Sequence, residues 1–180
     1  MQIFTGYFAR IKGYLDFGLV PVAIAAKPPV GWRRPMYRKF APSWSIWKEW
    51  HDARDSARDE RYAVRFRKEI LQDLEPESVR RELEEFGDNL VLCCYERPEN
   101  FCHRHLVATW IAEHLDIPVV EISMQCPQCG EKLRNSDFET CGVGGVSFSY
   151  QIACPVCGVR GPLRPTLQDA RTAYFRGDHE

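Results

Sequence analysis

The chain has 180 residues, 44% of them hydrophobic, and a formal net charge of −1. That composition supports a packed core and argues against disorder over most of the length, while the near-neutral charge leaves no global field to draw nucleic acid, so any such contact has to come from a local patch. No apolar run approaches the roughly 18 residues needed to span a bilayer, and Met1-Gln2-Ile3-Phe4 lacks the basic-then-apolar pattern of a leader; no membrane role, and a cytoplasmic setting with reduced thiols, are expected.

In chain order, Ile3–Ala9 and Leu19–Ala26 are short runs rich in β-branched or aromatic residues and read as strands, the second apolar enough to be buried. Pro28, Pro29, Pro35 and Pro42 then break regular structure and predict a long loop. Within it, Trp32-Arg33-Arg34-Pro35-Met36-Tyr37-Arg38-Lys39-Phe40 interleaves cations with aromatics. The mixture suits phosphate contact plus base stacking, but a solvated loop with its aromatics anchored in the core is the preferred reading, because charge runs are usually solvated faces. Ser43 is placed to cap a helix reaching His51, with Trp44, Trp47 and Trp50 expected on its buried face.

The charged stretch Asp52–Arg61 reads as a solvated connection or helix end. Tyr62, Phe66, Ile70, Leu71 and Leu74 recur at helical spacing up to Pro76, after which a second helix turns Val79, Leu83 and Phe86 inward and stops at Gly87. Asn89–Tyr95 is apolar enough to be a central strand; a helix from about Cys102 to Leu115 and a strand Ile117–Ile122 follow. Strand, helix and strand in that order imply a βαβ unit, and with it a three-layer, Rossmann-like α/β domain with a mostly parallel sheet over residues 1–122.

Reactive groups in such folds collect where strands end and the chain turns into the next helix. Here that point holds Cys94, Glu96, Cys102, His103 and Arg104. A cysteine beside Arg or His⁺ and near a helix N-terminus shifts toward thiolate, so either Cys94 or Cys102 suits a nucleophile. His103 suits a general base or acid, Glu96 an orienting group or proton acceptor, and Arg104 an anion holder. Cys93 reads as a small buried hydrophobe, and His105 and His114 as surface or capping residues. Cys102, His103 and His105 could instead join Cys94 in a second metal site, although the spacing lacks a C-x-x-C or H-x-x-x-H signature.

The C-terminal third carries Cys126-Pro127-Gln128-Cys129-Gly130 and Cys154-Pro155-Val156-Cys157-Gly158, separated by a spacer that suits a β-hairpin. Two such turns aim four sulfurs inward, so Cys126, Cys129, Cys154 and Cys157 predict a small zinc ribbon over residues 123–180, with a closed, structural Zn²⁺. Cys141, near Gly142, Gly144 and Gly145, reads as a spectator thiol at the hairpin tip.

Thr5-Gly6-Tyr7-Phe8-Ala9-Arg10, Val20-Pro21-Val22-Ala23-Ile24-Ala25 with Pro28-Pro29 and Trp32, Tyr37 with Ala41-Pro42, Leu92-Cys93-Cys94-Tyr95-Glu96 and Cys102-His103-Arg104, in that order and spacing, resemble domain-of-unknown-function family 488 from the N-terminus to about Glu121. The resemblance implies an α/β domain whose motif residues line one pocket, here Tyr7, Arg10, Cys94, Glu96, Cys102, His103 and Arg104. The two knuckles, the hairpin ending Phe148-Ser149-Tyr150-Gln151-Ile152-Ala153 and the helix Leu167–Phe175 resemble the restriction-alleviation zinc ribbon of phages and prophages, with Tyr174-Phe175 where that pattern ends in Trp-Asn. That likeness implies a phage or mobile-element origin, hence a host cytoplasm, and contact with nucleic acid or a host protein.

These readings lead to an enzyme acting on a nucleotide or nucleic acid, a hydrolase or transferase, with Cys94, Glu96 and His103 in the reaction and Tyr7, Arg10, Cys102 and Arg104 around a bound anion. The alternative is a non-catalytic adaptor or inhibitor that binds nucleic acid or a host protein and counters host defence.

Overall fold

The computed structural model describes residues 1–122, 125–133, 138–142 and 148–179, with the backbone alone for 138–142, 148 and 168. The chain divides into two units, Met1–Glu121 and Ile122–Glu180.

The first unit is built on a four-stranded sheet of β1 (Gln2–Tyr7), β2 (Val20–Ala23), β3 (Asn89–Cys94) and β4 (Val119–Glu121), in the order β2-β3-β1-β4. All three strand pairings are parallel. After their first residue, β1 and β3 are buried throughout, as central strands covered on both faces must be. Because side chains alternate along a strand, the register decides what shares a face. Ile3 pairs with Leu90, Thr5 with Leu92 and with Glu121, and Tyr7 with Cys94. The face that carries the hydrophobic core therefore runs out into Cys94 at its C-terminal edge.

The opposite face receives α1 (Ile11–Asp16), which no periodicity announced: it has six residues, one of them Gly13, and a single buried side chain, Tyr14. The Tyr14 hydroxyl accepts a hydrogen bond from the Tyr7 amide at 3.1 Å. It also occupies the space over Gly6, where a Cβ would stand 2.5 Å from the Tyr14 oxygen and 2.9 Å from Val91 Cγ1. Tyr14 has no exposed surface into which to retreat. Gly6→Ala is therefore expected to destabilise this unit by about 1–3 kcal/mol through overpacking, measured as a lower midpoint of chemical unfolding; an unchanged midpoint would show that Tyr14 can move aside.

The helices on the core side are α2 (Trp44–Asp52), α3 (Arg58–Phe66), α4 (Pro76–Glu84) and α5 (His103–Leu115). Ser43 caps α2 as its sequence predicts, accepting from the Ile46 amide at 3.3 Å. The tryptophans do not form one buried stripe. Ile46 is buried and Trp50 half-buried, whereas Trp44 is 64% exposed and Trp47 37% exposed. At 3.6 residues per turn, Ile46 and Trp50 make one stripe and Trp44, Trp47 and His51 another, and only one can face the core. The outward set stacks on itself, with centroids 4.8 Å apart for Trp44–Trp47 and 4.6 Å for Trp47–His51.

Helix α3 brings Tyr62 and Phe66 inward and continues through a π-helical turn, Arg67–Leu71. Pro76 opens α4 under a cap from the Glu75 side chain, and Val79 and Leu83 point inward. Gly87, at φ +132°, allows the chain to turn into β3. Val107, Ile111 and Leu115 of α5 join Ile3, Leu90, Leu92, Phe66 and Leu83 in the main core.

In the second unit β5 (Phe138–Gly142) and β6 (Phe148–Ile152) form an antiparallel hairpin. Cys141 lies within β5 opposite Ser149; the hairpin-tip glycines Gly144 and Gly145 lie outside the described residues. The terminal helix α6 (Leu167–Arg176) is capped by Thr166, whose hydroxyl accepts from the Asp169 amide at 3.0 Å. Cys126, Leu133, Ile152, Cys154, Ala170 and Tyr174 form this unit's buried core. Among the described residues no helix is long and apolar enough to cross a membrane.

Candidate functional site

Cys94 is the last residue of β3, and the loop 95–101 returns the chain so that Cys102 becomes the N-cap and His103 the first residue of α5. All three side chains are buried: Cys94 is 5% exposed, Cys102 3% and His103 6%. The Cys94 Sγ lies 3.7 Å from His103 Nδ1. On the other side of the ring, Nε2 lies 3.0 Å from the Ile24 carbonyl oxygen, which only accepts. Nε2 therefore carries the hydrogen, and Nδ1 presents a lone pair to the sulfur. The donor atoms of Cys94, Cys102 and His103 all lie within 4.8 Å of one another. Ala25 and Phe8 pack around the two sulfurs, and the Phe66 ring lies 5.3 Å from the imidazole.

The two thiols differ in acidity. A hydrogen bond from Cys102 lowers the Cys94 pKa and outweighs burial, with help from the Tyr95 amide and the Arg104 charge; the Glu96 carboxylate opposes it. Cys102 is pushed up to about 12, first by its bond to Cys94 and then by burial. Cys94 is thus the more acidic thiol of the pair and Cys102 donates to it. Cys93, on the other face, is driven up by burial and bonds the Val91 carbonyl, as a core residue would.

Arg104 has no exposed surface. Its Nε donates to Glu121 Oε2 at 3.1 Å and its Nη1 to the Glu96 carbonyl at 2.8 Å, while Nη2 has no partner among the described residues. Glu121 sits at the end of β4, where register places it beside Thr5, and it accepts the Thr5 hydroxyl at 2.6 Å. Burial raises its pKa, but contacts with His105, Arg104 and Thr5 overcome that and hold it below the usual carboxylate range. His105 lies 3.7 Å from Glu121 and belongs to this pair rather than to the thiols.

Of the other residues expected here, Tyr7 shares the face of Cys94, and its hydroxyl accepts from Arg10 Nε at 2.8 Å. The Glu96 carboxylate accepts from Asn100 at 3.3 Å, so the backbone of Ile24 orients His103 and the side chain of Glu96 does not. The long proline-broken loop reaches the same edge. Phe8 meets Trp32 at 5.2 Å and Tyr95 at 4.8 Å, both edge to face. Trp32 is half-buried and Tyr37 and Phe40 are buried, while Arg33, Arg34, Arg38 and Lys39 are exposed, as the anchored-loop reading expects. Glu121, Ile24 and Tyr95 escaped the sequence reading because their contacts depend on strand register or on backbone atoms.

The second unit holds the other cluster. Cys126 lies 3.7 Å from Cys157 and Cys129 3.5 Å from Cys154, sulfur to sulfur, and the four sulfurs all lie within 4.8 Å. The two turns repeat one geometry: Gly130 and Gly158 sit at φ +76° and +74°, and their amides donate to the Cys126 and Cys154 carbonyls. Tyr174, fully buried, donates its hydroxyl to Cys126 Sγ at 3.2 Å, a support that lies 48 residues away. The four thiols can hold one metal ion.

A family model described as the active DUF488-N3 subclade, DUF488-N3a, matches residues 19–115, more than half of the chain. The match includes Cys94, Glu96, Cys102, His103 and Arg104, and leaves Tyr7, Arg10 and the second unit outside it. No curated protein and no solved structure matches the chain.

Proposed function

The chain belongs to the active DUF488-N3 subclade, and from that premise we propose that it is an enzyme acting on a nucleotide or nucleic acid, with its reaction centre at Cys94, Cys102, His103 and Arg104. The observation that carries this reading is the vacant donor of Arg104. A polar group left unpaired out of water costs about 1–3 kcal/mol, and a buried guanidinium with two arms fixed and one free is ready to meet an anionic oxygen. Phosphate suits that planar fork. Arg10, held by Tyr7 at the neighbouring strand end, and the exposed Arg33 and Arg34 beside Trp32 extend the cationic edge toward a phosphodiester and a base. On this reading Cys94, Glu96 and His103 take part in the reaction.

The rest of the reading is consistent with this. The sheet belongs to a three-layer, Rossmann-like domain, which binds ligands at the C-terminal ends of its strands. Sulfurs 3.5–3.7 Å apart suit tetrahedral Zn²⁺, for which S···S is about 3.8 Å. Cys126, Cys129, Cys154 and Cys157 would hold it, and the ion, closed off by four thiolates, would fold a ribbon of phage or mobile-element kind. The protein would then work in a host cytoplasm.

A second reading, an adaptor or inhibitor that counters host defence, is favoured by the exposed stack of Trp44, Trp47 and His51. Exposed aromatics of this kind anchor protein partners.

The test is equilibrium binding of nucleoside mono-, di- and triphosphates and a single-stranded oligonucleotide to the full chain, with product analysis. Wild type is expected to bind and convert at least one of them, and Arg10→Ala to weaken binding about 10-fold or more through a lost charge-assisted hydrogen bond. Absence of binding across the panel, with host-protein capture lost in Trp44→Ala/Trp47→Ala, would favour the adaptor.

A further inference from the structure

We infer that Cys94, Cys102 and His103 form a second metal site, an open three-ligand centre for zinc or a similar divalent cation, distinct from the four-cysteine cluster. The inference rests on the proposed reaction centre and names what that centre holds: Cys94 serves as a ligand rather than as a free nucleophile.

The geometry is that of ligands waiting on one ion. With metal–sulfur bonds of about 2.3 Å, metal–nitrogen bonds of about 2.1 Å and tetrahedral angles, a sulfur and a ring nitrogen stand about 3.6 Å apart. The Cys94 sulfur and His103 Nδ1 stand 3.7 Å apart, and Cys102 completes a trio within 4.8 Å. The spacing matches that of the four-cysteine cluster, whose sulfurs stand at 3.5–3.7 Å.

The imidazole is prepared in the way metal-binding histidines are. Ligating histidines commonly donate their second ring N–H to a carbonyl or carboxylate, which fixes the tautomer and aims the free lone pair. Here the Ile24 carbonyl, 79 residues away, takes the Nε2 hydrogen and leaves Nδ1 facing the thiols. The ligands also sit on rigid elements: the end of β3, and the N-cap and first residue of α5. A helix N-terminus favours the thiolate form of ligands placed there.

Charge bookkeeping agrees. Two buried thiolates without a counterion would be costly, whereas two thiolates with a divalent cation are neutral, and Arg104 and Glu121 neutralise each other. Three ligands leave a fourth position open, unlike four cysteines, and His103 is followed in the chain by Arg104, whose buried Nη2 has no partner among the described residues. A cation held there would have that fourth position free for a substrate oxygen. His105 is not part of the trio, since it lies on Glu121.

The test is a metal count on the full chain, purified without chelator, together with titration of the stripped protein with Co²⁺, followed through thiolate-to-cobalt absorption. Wild type is expected to hold about two equivalents per chain. His103→Gln should lower the count to about one, and Cys129→Ser/Cys157→Ser should leave about one, lost on adding His103→Gln. A wild-type count of one that His103→Gln does not change would overturn the proposal, as would two equivalents both untouched by His103→Gln. Should His103→Gln fail to fold, the wild-type cobalt titration decides, since saturation at one equivalent alone rejects a second site. None of these readings needs a substrate, so a count of one with Cys94-dependent turnover would leave the proposed function standing without the metal.

Discussion

Replacing Cys126 and Cys154 with serine is expected to unfold residues 122–180 while the sheet of residues 1–121 keeps its structure. Among the described residues, the buried cluster of the second unit joins those two cysteines to Leu133, Ile152, Ala170 and Tyr174. A unit of about 60 residues has little core to spare, and small metal domains draw much of their stability from the ion. A structural zinc, if that is the ion these thiols hold as proposed, would contribute about 10–16 kcal/mol of binding free energy near neutral pH, nearly all of it as folding free energy. Loss of the Cys126 sulfur also strips the Tyr174 hydroxyl of its partner in a fully buried position. Amide hydrogen exchange read by peptide should show fast exchange over 148–179 in the variant and unchanged protection over β1 and β3. Protection of β6 and α6 equal to wild type would mean that side-chain packing alone holds the unit.

The second large effect is expected at Arg104. Arg104→Met keeps much of the volume but removes the positive charge beside Glu121, whose carboxylate is only 24% exposed. Leaving one partner of a buried ion pair uncompensated costs about 3–5 kcal/mol, part of it offset because the orphaned Nη2 is removed as well. Glu121→Gln should cost less, since the amide still accepts from Thr5 and Arg104. The pH dependence has a fixed sign. Glu121 has a lowered pKa in the folded protein, so its contribution is complete above the ordinary carboxylate value of about 4.3 and is lost as pH falls through the folded value. Wild type should therefore lose stability on acidification over that window, and Arg104→Met, which lacks the pair, should lose less. Urea midpoints of the two proteins at neutral and acid pH measure this; parallel curves would show that Glu121 is held by something other than Arg104.

Much of the framework was legible from residue pattern. Apolar runs marked β1 and β3, and Ser43 and Pro76 marked the starts of α2 and α4. The repeated C-x-x-C-G turns marked the four-cysteine cluster. What stayed hidden depends on distance along the chain. The hydrogen bond from His103 to Ile24 spans 79 residues, and the one from Thr5 to Glu121 spans 116. Neither has a local signature, because parallel pairing across β2-β3-β1-β4 sets them. Arg104 was recognised as a cation for an anion, but not as one enclosed on all sides with a single free donor; burial of a charge is decided by its neighbours in space. The tryptophans of α2 misled for a different reason: three-residue spacing drifts around a helix, and burial followed Ile46 and Trp50 at four-residue spacing. Helix α1 was too short for periodicity to register, and Gly6 gave no hint that Tyr14 fills the space above it.

The proposed reaction lies in the first unit, at Cys94, with the second unit in a supporting part. The most direct test is the turnover rate of full-length Cys94→Ser, on whichever nucleotide or oligonucleotide the wild type converts, measured beside Cys129→Ser/Cys157→Ser. Cys94→Ser is expected to lose at least about 10³-fold in rate, as loss of a group at the reacting centre does, while Cys129→Ser/Cys157→Ser, which spares that centre, keeps the greater part of it. A Cys94→Ser protein that turns substrate over at the wild-type rate would contradict the account.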